Sequence, residues 1–278
     1  MKSSNLLLAV LLCLSLPCYA NIFYINAEGT GDYRSIQEAV DAAQASDTVI
    51  AADGVYRGEG NTNVDFLGKA ITVRSEYGPG NCIINCEGYG RGFKFMSGEG
   101  RGSVLNGFTI VNGQGQRSGG IKIDDGCSPT IENCVIKDCQ GDDGGGIYCG
   151  ARSDALIRNC RIINNTAENG GGGIYCVGTE GGGIYCVGTE EDAASLTIEG
   201  CEITGNNTDD LGGGLYADGP DEISISDSLF ANNRSTLGGG GIKIVDSGDV
   251  EVSGCTFVGN KSETANGGGM NVVSYKTK

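Results

Sequence analysis

The chain of 278 residues contains no histidine and no tryptophan, and only four prolines. Without histidine, Ser-His-Asp and Cys-His catalysis and His-ligated zinc are excluded, which removes most hydrolytic mechanisms at once. Positive charge is also scarce: 19 Lys and Arg stand against 35 Asp and Glu, for a net charge of −16. That balance argues against nucleic acid and against an anionic membrane surface as partners. Long apolar runs are missing too. The one candidate, Leu6 to Leu16 after Met1-Lys2 and before Pro17-Cys18-Tyr19-Ala20, is too short to span a bilayer comfortably. It has the charge, core length and small residue at the cut site of a secretory signal peptide, so we expect residues 1–20 to be removed and the mature chain to be extracellular or on the outer cell surface, with no membrane span.

What the chain has in excess is glycine, 50 residues of it. Together with recurring β-branched residues this suits a turn-rich β protein and excludes a helical bundle. The glycines are periodic. A glycine cluster followed by Ile, Leu or Met recurs at Ile121, Ile147, Ile174, Leu215, Ile242 and Met270, in steps of 26, 27, 41, 27 and 28 residues. The long step contains a ten-residue duplication, Gly171 to Glu180 repeated as Gly181 to Glu190. Ten is an even number, so sliding by one copy keeps inward residues inward, and either copy could fill the strand while the other is looped out.

A second motif runs half a repeat out of phase: Ile131-Glu132-Asn133-Cys134-Val135-Ile136, Ile157 to Ile162, Ile198 to Ile203, Ile225 to Phe230 and Val252 to Phe257. Alternation interrupted by one extra residue predicts two short strands meeting at a corner. Three positions further on stand Asn165, Asn206, Asn233 and Asn260. One repeat reads as glycine turn, strand, loop, strand, corner, strand and Asn turn. A strand such as Ile147-Tyr148-Cys149 buries too little alone to offset the entropy of ordering it, whereas stacking equivalents about 4.8 Å apart turns each position into a column of a continuous core. We therefore expect an all-β fold, a right-handed parallel β-helix over residues 46–278, with handedness following the rule for parallel crossovers. Cys134, Cys160, Cys201, Ser228 and Cys255 should form one column; Ile123, Cys149, Cys176 or Cys186, Ala217, Ile244 and Val272 another; the asparagines a hydrogen-bonded ladder.

Residues 21–45 depart from the array and predict its N-terminal cap. Ile22 to Ile25 read as a strand, and Ser35 to Ala45 as an amphipathic helix with Ile36, Ala39, Val40 and Ala43 on one face, covering the open end of the first coil. Thr48 to Ala52 and Ala70 to Val73 read as the first parallel strands.

Gly31-Asp32-Tyr33-Arg34-Ser35-Ile36-Gln37-Glu38-Ala39, Asp47-Thr48-Val49 and Asp53-Gly54-Val55-Tyr56 resemble the N-terminal cap of pectate-lyase-like right-handed β-helix proteins. The later repeats, with Phe230-Ala231-Asn232-Asn233 and Phe257-Val258-Gly259-Asn260, are similar to passenger repeats of chlamydial polymorphic outer-membrane proteins. The resemblance covers nearly all of the mature chain and implies the fold more than any activity. Ser274 to Lys278 follow directly on a repeat strand, so we expect the array to be incomplete at that end.

Eleven cysteines lie outside the signal peptide. An odd number leaves at least one unpaired, and Ile, Ala, Val and Ser replace cysteine at equivalent places, which favours packing residues over a disulfide framework. Related lyases hold calcium with clustered carboxylates and use Arg or Lys as base, and related hydrolases use an Asp cluster with His and Lys. Here the paired turn acids Asp142, Asp143, Asp209 and Asp210 are the candidate calcium ligands, with solvated turn charge as the alternative. No compact group of Asp beside Arg is evident on a strand face. Tyr148, Tyr175 (or Tyr185) and Tyr216 each follow an inward Ile or Leu, so alternation predicts an outward tyrosine stripe, with Lys122 and Lys243 in the same column projecting into solvent. That stripe is the candidate carbohydrate-binding face; mutual stacking that protects the sheet is the alternative. The functional expectation is a non-catalytic secreted or surface protein that binds glycans or cell-surface components and needs no cofactor. A polysaccharide lyase or glycoside hydrolase is the second reading.

Overall fold

A computed structural model of the chain describes residues 20–177, 194–264 and 267–273. Residues 1–19, which hold all but the last residue of the expected signal peptide, lie outside the described residues, as do Tyr185, Cys186 and the whole second copy of the duplication. The chain winds as a right-handed parallel β-solenoid of about 9 turns with 3% helix. Every strand pair is parallel, and neighbours in each sheet come from successive coils.

Each full coil contributes to four sheets. Sheet one, with eight strands, holds the segments that follow the glycine turns, such as Ile121–Ile123 and Ile147–Cys149. Sheet two, with nine, holds Thr130–Glu132 and its equivalents; sheet three, with eight, holds Val135–Lys137 and its equivalents. Sheet four consists of six two-residue strands that begin at Gln114–Gly115. Sequence periodicity missed this fourth sheet, because two residues give alternation nothing to repeat.

Between sheets two and three the chain turns on one residue in the left-handed region: Asn133, Asn159, Gly200, Asp227 and Gly254 at successive coils, with φ between 49° and 62°. Asn, Asp and Gly are the residues that tolerate it. Directly after each corner comes the cysteine column. The thiols of Cys134, Cys160, Cys201 and Cys255 donate to the carbonyl two residues back at 3.2–3.3 Å, and the Ser228 hydroxyl does the same at 2.7 Å. All ten described cysteines are free thiols, and all but Cys255 are buried.

The asparagine ladder is continuous. Asn206 Nδ2 donates to Ile162 O at 2.9 Å and to Asn233 Oδ1 at 3.0 Å, while its own Oδ1 accepts from the Asn165 backbone N–H at 2.9 Å. Asn233 and Asn260 repeat the pattern, and Asn165 Oδ1 receives the Cys139 N–H at the start. The glycine triplets close the coil against this ladder. A β-carbon on Gly145 would collide with the carbonyls of Gly172 and Thr166, so only backbone fits there.

The cap is a helix over Ile36–Ala42, shorter than the expected Ser35 to Ala45. Ser35 is its N-cap and accepts from Glu38 N at 3.2 Å. Ile36, Ala39 and Val40 face the core. Gln37 pairs with Asp65 as a strand would, accepting from its N–H at 2.8 Å and donating to its carbonyl at 3.0 Å. The strand Ile22–Ile25 pairs with Thr48–Ala51, which pairs with Thr72–Ser75. The last of these starts two residues later than Ala70, the expected start. Among the described residues no helix is long and apolar enough to cross a membrane.

Candidate functional site

Sheet one aligns an outward column across eight strands: Asp65, Lys94, Lys122, Tyr148, Tyr175, Tyr216, Lys243 and Asn271. The expected stripe is therefore one ladder, with Tyr175, from the first copy of the duplication, in the strand. The inward column beside it runs Ile123, Cys149, Cys176, Ala217, Ile244 and Val272, as its spacing predicted.

The outward tyrosines are not the open platform expected of a stacking site. Tyr148 and Tyr216 are only 4% and 5% exposed although they lie outside the core, and Tyr175 is half-buried. Tyr148 and Tyr175 stack at 5.7 Å with planes 8° apart, and Tyr175 meets Tyr216 edge-on at 5.2 Å. The Arg117 guanidinium lies 5.3 Å above the Tyr148 ring. The rings cover one another because strands about 4.8 Å apart bring identical side chains to stacking distance.

The two lysines are likewise held against the sheet and do not project into solvent. Lys122 is 2.9 Å from Asp124 Oδ2 with its side chain 13% exposed, and Lys243 is 9% exposed and donates to Asn271 Oδ1 at 3.0 Å. Asp124 also takes Arg117 Nη1 at 3.2 Å, and Arg117 bonds Tyr148 Oη at 3.1 Å. A compact Asp-Arg group on the strand face thus exists, contrary to the sequence reading. Burial pushes the Arg91 guanidinium below its ordinary value, with the Asp124 charge opposing. Gly150 makes room for this group, since a β-carbon there would strike the Asp124 carboxylate.

At the other end Tyr216 Oη donates to Asp218 Oδ2 at 2.9 Å. Burial raises Asp218, with the Tyr216 hydrogen bond and the Lys243 charge opposing; burial lowers Lys243, with Asp218 opposing. Burial also pushes the Tyr148 and Tyr216 phenols up. From sequence Asp124 reads only as half of an acidic turn pair with Asp125, and Asp218 is not singled out, yet each stands two residues after a column member, on the outward face by alternation. The signal was a period of two carried to the last residue of the strand for Asp218 and one residue past it for Asp124.

The structure does not bring the four turn acids together in one group. Asp142 and Asp143 are separated from Asp209 and Asp210 by the intervening coil, whose Glu168 and Asn169 N–H groups donate to Asp142 O. Asp143 instead accepts from Asn169 Nδ2 at 3.2 Å, and Asp210 is raised by burial. Among the described residues no group of three or more His, Cys, Asp or Glu is placed to hold a metal ion.

No curated protein matches the sequence. Among solved structures, pectate lyase Pel9A is similar at 14% identity with a TM-score of 0.49, the alignment covering 82% of this chain and 69% of that one. A pectin methylesterase from carrot is similar at 15% identity with a TM-score of 0.44, covering 93% of this chain and 89% of that one. Neither likeness bears on activity. A family profile described as right handed beta helix region matches residues 44–190 and again 181–278, the two matches overlapping on the second copy of the duplication. Taken with the parallel coils described above, this places the chain in the right-handed β-helix family.

Proposed function

We propose that this is a secreted protein of the cell exterior that binds glycans or other cell-surface components along the outer face of sheet one and does not turn them over. One observation carries the reading: the charged and phenolic groups of that face are held by one another. Lys122 and Arg117 sit on Asp124, Tyr216 on Asp218 and Lys243 on Asn271. Such mutual pairing gives a rigid polar surface, as a recognition site needs, and ties up groups that proton transfer would require free. With no histidine in the chain, no side chain titrates near neutrality without a large shift. Half-buried Tyr175, between two covered tyrosines and below the Arg117 side, is the ladder's contact point for a ligand.

A polysaccharide lyase or hydrolase is the second reading, and the Asp218–Lys243 neighbourhood favours it, because burial moves these two groups in opposite directions, each toward neutrality. A single comparison separates the two. Glycan binding is measured beside release of unsaturated or reducing-end products from neutral and acidic polysaccharides with added Ca²⁺. Binding without product, weakened in Tyr175→Ala, is expected. Product release abolished by Lys243→Gln would select the enzyme, and absence of any binding would remove the first reading.

A further inference from the structure

The fourth sheet begins only at Gln114–Gly115, so the two earlier coils carry loops where later coils carry its strands. Between the loop around Gly58 to Asn63 and the loop around Cys86 to Gly90 this leaves a cleft of about 430 Å³. That size lies within the range of small-ligand sites, roughly 300–1,000 Å³. It belongs to no part of the ladder described above.

The wall chemistry is specific. Tyr89 lines the cleft and is 80% exposed, so most of its ring lies bare beside a concavity. Glu59 and Glu87 line it as well, and no Lys or Arg does. Two arginines border it from outside the lining: Arg57 pairs with Glu87 at 3.2 Å, and Arg91 turns its guanidinium to Gln116 O at 3.1 Å. Asn63 accepts the Arg91 N–H on its Oδ1 at 3.1 Å, which fixes its amide and leaves the NH₂ to donate. Thr62 is less available, because its hydroxyl donates to Gly58 O at 3.1 Å.

We propose that this cleft is a second glycan subsite, taking an uncharged sugar residue and rejecting a uronate. The Tyr89 ring offers a face for the C–H side of a pyranose, while carboxylates accept hydrogen bonds from sugar hydroxyls and cannot donate. A sugar carboxylate would meet Glu59 and Glu87 where Arg57 is already held by Glu87 and the Arg91 guanidinium by Gln116 O, inside a chain of net charge −16. Like charges at such a site disfavour binding. The proposal rests on the glycan-binding reading and adds the place and the charge of the sugar.

The test is calorimetric titration of the full chain with neutral oligosaccharides (gluco-, galacto- and xylo-configured) and with oligogalacturonate. Neutral binding is expected to fall about tenfold in Tyr89→Ala, the size of one aromatic contact, and to survive in Tyr89→Phe. The double variant Glu59→Gln, Glu87→Gln is expected to gain oligogalacturonate binding. These residues are exposed, so unchanged melting temperatures will separate loss of binding from loss of fold. Wild-type preference for the uronate, or neutral binding indifferent to Tyr89→Ala, overturns the proposal. If glycan binding then responds only to Tyr175→Ala, the sheet-one reading stands and the cleft alone is discarded; if no glycan binds, both are discarded.

Discussion

Residues 46–112 and residues 113–273 wind the same coil around interiors of different chemistry. The early coils are filled by Phe66, Phe93, Phe95 and Phe108, all fully buried, with Phe66 and Phe95 centroids 4.6 Å apart and Phe93 and Phe108 5.6 Å apart. The later coils rely more on columns of Ile and Cys, keep a single stacked phenylalanine pair, Phe230 and Phe257 at 5.3 Å, among the described residues, and add a buried asparagine ladder. An aromatic cluster needs each ring to fit one void, so its members need no common spacing. A hydrogen-bonded ladder works only if the same group recurs in the next coil, which forces the period into the sequence. The difference explains why repeats are legible from Gly119 onward and not before.

The comparison can be broken first from the aromatic side. Phe93 touches rings on two neighbours, so Phe93→Ala leaves a cavity that later coils cannot fill, with an expected loss of about 3–5 kcal/mol by denaturant unfolding. A loss under about 1 kcal/mol would show that the early core repacks freely. On the ladder side, Asn206→Ala leaves the buried Asn165 N–H without its acceptor and takes the Asn206 amide donor away from the Ile162 carbonyl. At about 1–3 kcal/mol for the unsatisfied N–H, with the lost bond to Ile162 O added, a total near ~3 kcal/mol is expected, with amide exchange accelerated on both neighbouring coils. Exchange confined to one coil would mean that the ladder does not couple them.

A milder probe is Cys160→Ser. Ser228 already occupies the column, donating to Ser226 O and accepting the Cys201 N–H at 3.0 Å, so the backbone there accepts a hydroxyl. A loss of about 1 kcal/mol is expected, from a polar atom replacing a buried thiol whose ionisation burial already opposes. Urea melts of the two proteins check it, and a loss above about 3 kcal/mol would mark the column as specific for sulfur.

The winding, the inward columns, the corner and the asparagine ladder were all readable, because each is a repeated contact and a repeated contact leaves a repeated residue. The capping helix was readable from the spacing of Ile36, Ala39 and Val40, though not its end, since Ala43 to Ala45 carry no stop signal. What could not be read was cover. Alternation says that Tyr148 points outward, but whether a guanidinium lies over it depends on Arg117, 31 residues away in sequence and set by a loop. Lys122 and Lys243 differ, since Asp124 stands two residues after Lys122 and Asn271 is the next member of Lys243's own column, so the spacing held both partners.

The pH dependence of the sheet-one face gives a smaller effect with a definite sign. Burial raises Asp218, so between its unfolded value of about 3.9 and its higher native value the folded chain keeps a proton that the unfolded chain has lost. Stability contributed by this residue therefore falls as pH rises through that window. Asp218→Asn keeps an acceptor for Tyr216 Oη and removes the loss, so the variant should melt higher than wild type at pH 7 and alike at pH 3.5. An equal gap at both pH values would locate the effect outside ionisation.

The smallest expected effect concerns the duplication, where the array's regularity is interrupted. Ile174–Val177, from the first copy, already pairs on one side with Ile147–Cys149 and on the other with Leu215–Asp218. The next described residue is Ala194, which is buried, and Ser195–Glu199 then takes its place in sheet two. Elsewhere the step from sheet one to sheet two is short: Cys149 to Asp154 and Asp218 to Glu222. Deleting Gly181 to Glu190 leaves seven residues, Gly178 to Glu180 and Glu191 to Ala194, for that step, enough to span what four and three residues span in the neighbouring coils. Because the coil's strands are already supplied, and because loop closure costs only about 0.6 kcal/mol per doubling of length, the shortened chain is expected to melt within a degree or two of the full one. A fall of ten degrees on deletion would show that the second copy carries contacts of its own, and that the step of 41 residues was selected and not merely tolerated.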